Sequence, residues 1–245
     1  MARISVVIPA YNRHELTARH VAECLKSTRK PDEIIVVNDG GPENLRDLLL
    51  PLHGDTPIIY ARVTEDILWN YNGAVNLGFW IATGDLVAIE DTDHIPDRGT
   101  YQTAEKYMAE NPDVERLAFR RKVIDQSELS KPMEEWVPIK GWGSNDMVSV
   151  VRRSMYIRMK GQDERFARNY GYMCYCYRAR IRILGIKSGL EGHYWAIIGD
   201  GGEPGLKRGL SPVNRRWYRI NAVRPQRDGQ FEGGILNFNY TIERI

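Results

Sequence analysis

Gly84-Asp85-Leu86-Val87-Ala88-Ile89-Glu90-Asp91-Thr92-Asp93-His94 is the stretch whose reading decides the fold. Leu86 to Ile89 is a short apolar run with β-branched members, the pattern of a buried strand. Glu90, Asp91, Asp93 and His94 then crowd its carboxyl end, and Pro96 is expected to stop regular pairing. Like charges set so close repel, and each needs solvent or a partner. A divalent cation is the simplest partner. Oxygen ligands suit Mg²⁺ or Mn²⁺, which keep positions open for water and phosphate. A solvated acidic turn is the alternative, since Asp-x-Asp alone is a common tripeptide.

Upstream, strands and helices alternate. Ile4–Ile8 reads as a strand ended by Pro9, and 15–27 as a helix. Glu33–Val37 is a second strand closed by Asn38-Asp39-Gly40-Gly41, and 43–50 is a helix stopped by Pro51. A strand over 57–63 and an amphipathic helix over 72–83 lead into the opening stretch. This alternation predicts a parallel sheet with helices on both faces, and ligands at the carboxyl ends of its strands. Pro9-Ala10-Tyr11, Asn38-Asp39-Gly40 and Asp91-Thr92-Asp93 all fall at such ends. Three polar sites therefore converge on one rim.

Downstream the pattern is less regular. A helix is expected over 100–110, strands over 117–124 and 147–151, a short helix over 154–159 and a longer one over 170–184. Between 130 and 143 lies a loop rich in Pro and Trp, whose Trp136 and Trp142 are expected to face a substrate. No internal repeat or Gly/Ser linker divides the 245 residues, so 1–100 and 101–245 are read as two halves of one domain.

The net charge of +2 hides an asymmetry. From Val150 onward there are 18 Lys and Arg against 8 Asp and Glu; before it there are 16 against 24. Different partners are expected for the acidic and basic parts. In the basic part Lys207, Arg208, Arg215, Arg216, Arg219, Arg224 and Arg227 interleave with Trp217 and Tyr218, a mixture suited to phosphates and flat rings. A solvated basic surface is the plainer account. Gly201-Gly202-Glu203-Pro204-Gly205 reads as a lid candidate from its glycine content. The three cysteines make no disulfide framework. No apolar run approaches a membrane span, and Met1-Ala2-Arg3 leads straight into strand-like sequence without a signal-peptide pattern. The expected location is the cytoplasm. His14 and His20 read as surface positions of the first helix.

Four segments, in order, resemble the family 2-type glycosyltransferases of GT-A fold. They are Ser5–Arg13, Glu33–Gly41, the Asn76-to-Asp93 helix, strand and Asp-x-Asp, and Gly161-Gln162-Asp163-Glu164-Arg165-Phe166. The resemblance is good over 4–100, patchy to 185 and weak beyond. It implies a sugar transferred from a nucleoside diphosphate, by family habit UDP, to an acceptor hydroxyl. It implies donor contacts from Pro9, Tyr11, Asn12, Arg13, Asp39, Asn76, Asp91 and Thr92. Asp91 and Asp93 would hold Mn²⁺ or Mg²⁺, with His193 as a third ligand taken from late in the chain. The acceptor would lie with Trp136, Trp142, Arg215, Arg216 and Trp217, and an anionic acceptor such as modified DNA or a lipid-linked, phosphate-bearing saccharide fits the charge. Two departures stand out. Asn38 replaces a frequent Asp, and 169–180 carries no carboxylate where inverting members place their general base. Three alternatives follow: Asp163 or Glu164 supplies that base, the correspondence slips there, or the reaction is retaining. A nucleotidyltransferase, or a non-catalytic nucleic-acid binder on a transferase fold, are the rival readings.

Overall fold

The computed structural model describes residues 1–41, 44–198, 211–219 and 238–245, without the side chains of Trp142 and Trp217. The strands are β1 (Ile4–Ala10), β2 (Glu33–Asp39), β3 (Ile58–Val63), β4 (Leu86–Ile89), β5 (His94–Pro96), β6 (Arg116–Asp125), β7 (Lys140–Trp142), β8 (Ser149–Arg152), β9 (Ser188–Ile198) and β10 (Tyr240–Arg244). The helices are α1 (His14–Leu25), α2 (Leu45–Leu49), α3 (Tyr71–Ile81), α4 (Thr100–Glu110), α5 (Arg153–Arg158), α6 (Met173–Ile183) and α7 (Pro212–Trp217).

All ten strands join one sheet in the order β10-β3-β2-β1-β4-β8-β6-β9-β5, with β7 paired to β6. The β3-β2-β1-β4 core is parallel, as the alternating pattern predicts. The later strands make the sheet mixed: β8, β5, β7 and β10 each pair antiparallel, while β9 runs parallel to β6. From β1 the chain winds outward to β2 and β3, then returns to the other side of β1 as β4. That reversal makes the carboxyl ends of β1 and β4 a topological switch point, the place where open α/β sheets bind ligands in a crevice.

Strand alternation builds two cores. Ile4, Val6, Ile8, Ile34, Val36, Leu86 and Ala88 face α1, α2 and α4, packing on Val21, Cys24, Leu45, Tyr101 and Met108. Val7, Ile35, Val37, Val87 and Ile89 face α3, α5 and α6, packing on Val75, Leu77, Met155 and Tyr177. Each fully buried aliphatic side chain here contributes roughly 1.5–3 kcal/mol. Gly78 lets α3 sit down on β1: a Cβ there would lie 2.3 Å from Val7 Cγ1.

Two features complete the sheet. Pro96 pairs opposite Tyr194 and is the last residue of β5, so pairing does end there, on an edge strand where a missing N–H is tolerated. Strand β9 is invisible in the sequence because Gly189 lies against the Tyr107 ring and Gly192 takes φ +68°. The β6–β9 register shifts beside them, between Ala118 and Arg120, which breaks the two-residue period.

Candidate active site

Strand β4 delivers the acidic turn, and its pleat splits it. Leu86 and Ala88 face the α1 and α4 core, so Glu90 follows them inward and is fully buried. Only Asp91, Asp93 and His94 remain on the rim, with one ligand atom from each within 4.8 Å of the others. The expected cluster of three carboxylates and an imidazole is therefore two carboxylates and an imidazole.

Each group has a distinct electrostatic state. Burial pushes the Asp91 carboxyl up; His94 opposes this and Asp93 adds to it. The Tyr71 hydroxyl donates to Asp91 Oδ1 at 2.6 Å, and Asn145 Nδ2 donates to Oδ2 at 3.0 Å. Burial also acts upward on Asp93, but the hydrogen bond and charge of His94, with help from Arg13, hold it low. His94 Nδ1 lies 2.7 Å from Asp93 Oδ1. Burial pulls His94 down, yet its contact with Asp93 and the charges of Asp91 and Asp93 raise it overall. Arg13 starts α1 in a left-handed conformation, φ 71°, and its guanidinium stands 3.5 Å from Asp93 Oδ2. The Asp93 side chain keeps 38% exposure, more than that of Asp91 or His94. Two carboxylates and an imidazole are a workable donor set for a divalent cation, with Asp93 the most open.

A second polar group closes the carboxyl ends of β2 and β3. Asp39 is buried, and its Oδ1 accepts from Asn70 Nδ2 at 2.8 Å. Burial pushes its carboxyl up to about 7, against the Asn70 hydrogen bond and with help from the Asp66 charge. Tyr11 projects from the end of β1, 37% exposed, and donates to Asp66 Oδ1 at 3.0 Å. Asn12 beside it is exposed. Pro9 is buried, and its carbonyl accepts from Thr92 Oγ1 at 3.0 Å. Thr92 thus ties the acidic turn to β1 instead of facing a ligand. Asn38 is absorbed by the backbone and by Tyr60, which explains why an amide serves where the family often carries an acid: Oδ1 accepts from Gly41 N and Nδ2 donates to the Tyr60 hydroxyl.

Several expected site residues lie elsewhere. The Asn76 amide is engaged internally: Oδ1 accepts from Tyr156 and Gln162 N, and Nδ2 donates to the Gln162 carbonyl and Glu164. Asp163 is buried, gripped by Arg165 Nε at 2.8 Å and Nη2 at 2.6 Å, with Arg180 Nη2 at 3.5 Å. Asp163 and Glu164 thus join α3 to α6 through ion pairs and amides, and neither stands free as a base. His193 is not among the residues gathered with Asp91 and Asp93; it sits on β9 opposite Arg120, and burial with Lys122 nearby lowers its pKa. His94 takes the position expected of it. Trp136 is 5% exposed and packs edge-on to Trp195 beneath β5, so it faces core and not substrate. His14 and His20 are buried too, His14 against Asn44 and His20 against Glu90. Arg215, Arg216 and Arg219 are exposed. The side chains of Trp142 and Trp217, the 201–205 segment, Lys207, Arg208, Arg224 and Arg227 lie outside the described residues.

Tyr71, Asn70, Asp66 and Asn145 escaped the sequence reading. Asn70 and Tyr71 open α3, and Asn145 lies just before β8, so only the fold brings them to the rim. The placement of Asn70 and Tyr71 at a helix start beside a strand end was the one signal available.

The fold is that of GT-A glycosyltransferases. The mannosyltransferase PcManGT from Pyrobaculum calidifontis, solved with GDP-Man and Mn²⁺, superposes with a TM-score of 0.62 at 18% identity, over 94% of this chain and 66% of that one. TarS of S. aureus, solved with UDP-GlcNAc, gives 0.66 at 12% identity over 81% and 59%. Residues 5–184 match glycosyl transferase family 2, and the chain belongs to that family. Chondroitin synthase of Escherichia coli is 33% identical over 125 residues, covering 51% of this chain and 18% of that protein. The undecaprenyl-phosphate 4-deoxy-4-formamido-L-arabinose transferase of Serratia proteamaculans is 35% identical over 95 residues, 37% of this chain and 29% of that protein. The matched segment thus spans under a third of these curated relatives.

Proposed function

We propose that this glycosyltransferase is metal-dependent and moves a sugar from a nucleoside diphosphate to an acceptor hydroxyl. The observation that carries the reading is the Asp91, Asp93 and His94 group at the crevice between β1 and β4, with Arg13 pointing at Asp93. Asp93 and Asp91 would hold Mn²⁺ or Mg²⁺, with His94 beside them. A cation there supplies Lewis-acid stabilisation as the nucleoside diphosphate leaves. Arg13 is a second positive charge for the diphosphate. Tyr11 offers a ring face for the base, and Asp39 an acceptor for a base or ribose donor. UDP sugars are the first donors to test and GDP sugars the second, since TarS and PcManGT were solved with one of each.

The acceptor is proposed to be anionic, on the exposed Arg215, Arg216 and Arg219 around α7. Tyr172, Tyr175 and Tyr218 form a ring cluster in the same region, with centroids 5.5–6.2 Å apart. Among the described residues no helix is long and apolar enough to cross a membrane. Three unpaired cysteines are at home in a reducing cytoplasm.

Calorimetric titration with nucleoside diphosphates and their sugars, with and without Mn²⁺, tests the reading. One nucleotide should bind only with metal, and Asp93→Ala should abolish that binding. A folded protein that binds none of them would refute it.

A further inference from the structure

Behind the acidic turn lies a buried polar cluster that the reaction does not explain. Glu90 is fully buried, as are His20, Cys24, Tyr101 and Tyr194. Its Oε1 accepts from the Tyr101 hydroxyl at 3.0 Å and from the Tyr194 hydroxyl. Its Oε2 lies 2.7 Å from His20 Nε2 and 3.7 Å from Cys24 Sγ. The other ring nitrogen, His20 Nδ1, lies 3.3 Å from the Thr92 carbonyl. One imidazole therefore spans from the buried carboxylate to the backbone between Asp91 and Asp93.

A carboxylate at this depth is costly. Removing it from water carries a penalty of several kcal/mol, and packed apolar residues often serve stability as well or better. Leu86 and Ala88 occupy the preceding positions on the same face, so an apolar residue at 90 would extend their pattern. The cluster instead collects α1, α4, β4 and β9 onto one group. The turn is also fixed from its other sides. Thr92 Oγ1 bonds the Pro9 carbonyl, His94 N bonds the Asp91 carbonyl at 2.8 Å, and Ile197 N bonds the Asp93 carbonyl at 2.9 Å. The His20 contact to the Thr92 carbonyl is the tie that comes from the protein interior.

We propose that Glu90 and His20 are positioning residues that fix the Asp91-Thr92-Asp93 backbone through the Thr92 carbonyl, and so set the spacing of the two carboxylates for a divalent cation. This rests on the metal-binding reading of the turn. Outer partners of metal-binding groups are commonly worth 10–100-fold in affinity.

The test is a Mn²⁺ titration of the whole chain followed by electron paramagnetic resonance, in the presence of UDP and, separately, GDP, with thermal unfolding recorded for each variant. His20→Gln and Glu90→Gln are expected to weaken Mn²⁺ binding about tenfold or more. Cys24→Ala removes only a weak thiol contact, 3.7 Å from Glu90, and should stay within about twofold of wild type, even if its unfolding temperature falls. Tyr194→Phe keeps the ring and removes one hydroxyl from Glu90; it should fold and shift affinity by about threefold in the same direction. Unchanged Mn²⁺ affinity in folded His20→Gln and Tyr194→Phe, with Asp93→Ala losing it, overturns the positioning role and leaves the metal reading standing. No Mn²⁺ binding by the folded wild type overturns both. Stoichiometric zinc in purified Asp93→Ala also overturns the positioning role, because His20, Cys24 and Glu90 would then be ligands themselves.

Discussion

Asp93 and Asp163 both sit in short acidic motifs that resemble the family, yet the protein treats them in opposite ways. Asp93 keeps 38% side-chain exposure and has its guanidinium partner at the long distance of 3.5 Å. Asp163 has 6% exposure, a forked grip from Arg165 and a second arginine behind. Asp93 retains capacity for a ligand, whereas Asp163 has spent its capacity on the protein. The difference teaches that a carboxylate in a motif is available to a ligand where its side chain keeps some exposure and no arginine fork closes over it. Asn145 and Asn76 both bond through both ends of the amide, but Asn145 gives one end to Asp91 on the rim, whereas Asn76 gives both to Tyr156, Gln162 and Glu164.

Removing Asp93 is the sharpest way to break the comparison. Asp93→Ala should lower metal-dependent nucleotide binding by roughly 100-fold or more, since outer partners alone are worth 10–100-fold. Its unfolding temperature should fall only modestly, because the side chain keeps 38% exposure and its losses are the Arg13 pair, worth at most about 1 kcal/mol, and the His94 contact, worth roughly 1.5–3 kcal/mol. Calorimetry and a thermal melt read the two quantities separately.

Asp163→Asn should give the reverse pattern. It leaves Arg180 buried with a weakened partner, and breaking a buried pair costs roughly 3–5 kcal/mol. Denaturant unfolding should reveal that loss, while metal affinity per folded molecule stays near wild type. A large loss of turnover with no loss of stability would instead restore Asp163 as a base.

The sheet core, the crevice and Asp39, Asp91 and Asp93 were legible because their signals are local. β-Branched runs end in polar turns, and each turn lies where a parallel strand must end. The errors arose where side-chain direction decides. Glu90 and Asp91 are neighbours in sequence, but the strand pleat sends one into the core and the other to the rim. His20 lies on the face of α1 that packs on the sheet, and it looked like a surface residue because its buried partner, Glu90, is 70 residues away. Trp136 reads equally well as a platform or as core, and only its contact with Trp195 from β9 decides. Strand β9 was lost to two glycines, and β10 joins β3 from the far end of the chain.

Asp39 sharpens the comparison through pH. It is buried like Asp163, but among the described residues its hydrogen-bond partner is the Asn70 amide, and burial raises its folded carboxyl to about 7 from an ordinary 3.8. A carboxyl raised in the folded state contributes stability that is fully present below about pH 4 and lost as pH climbs through about 7. Asp39→Asn should flatten that fall, by an amount on the order of 2–4 kcal/mol between those limits. Urea unfolding across pH 4–8 measures it. A wild-type curve with no greater decline than the variant's would mean that Asp39 is ionised throughout that range.

The smallest effect is expected at Arg215 and Arg216, which are exposed and have no ion pair among the described residues. Helix α7 is seated by Asn214, which donates to the carbonyls of Phe166, Asn169 and Gly171 and leaves the two arginines exposed. Exposed cations that contact phosphate release counterions, so each one lost should flatten the dependence of log affinity on log salt by about one unit. Arg215→Gln/Arg216→Gln should therefore lower the salt slope for a DNA duplex by about two, without changing nucleotide binding at Asp93. An unchanged slope would make these arginines solvated surface. A reduced slope would place phosphate recognition beside Tyr172, Tyr175 and Tyr218, and would mark the basic half of the chain as the side from which an acceptor approaches.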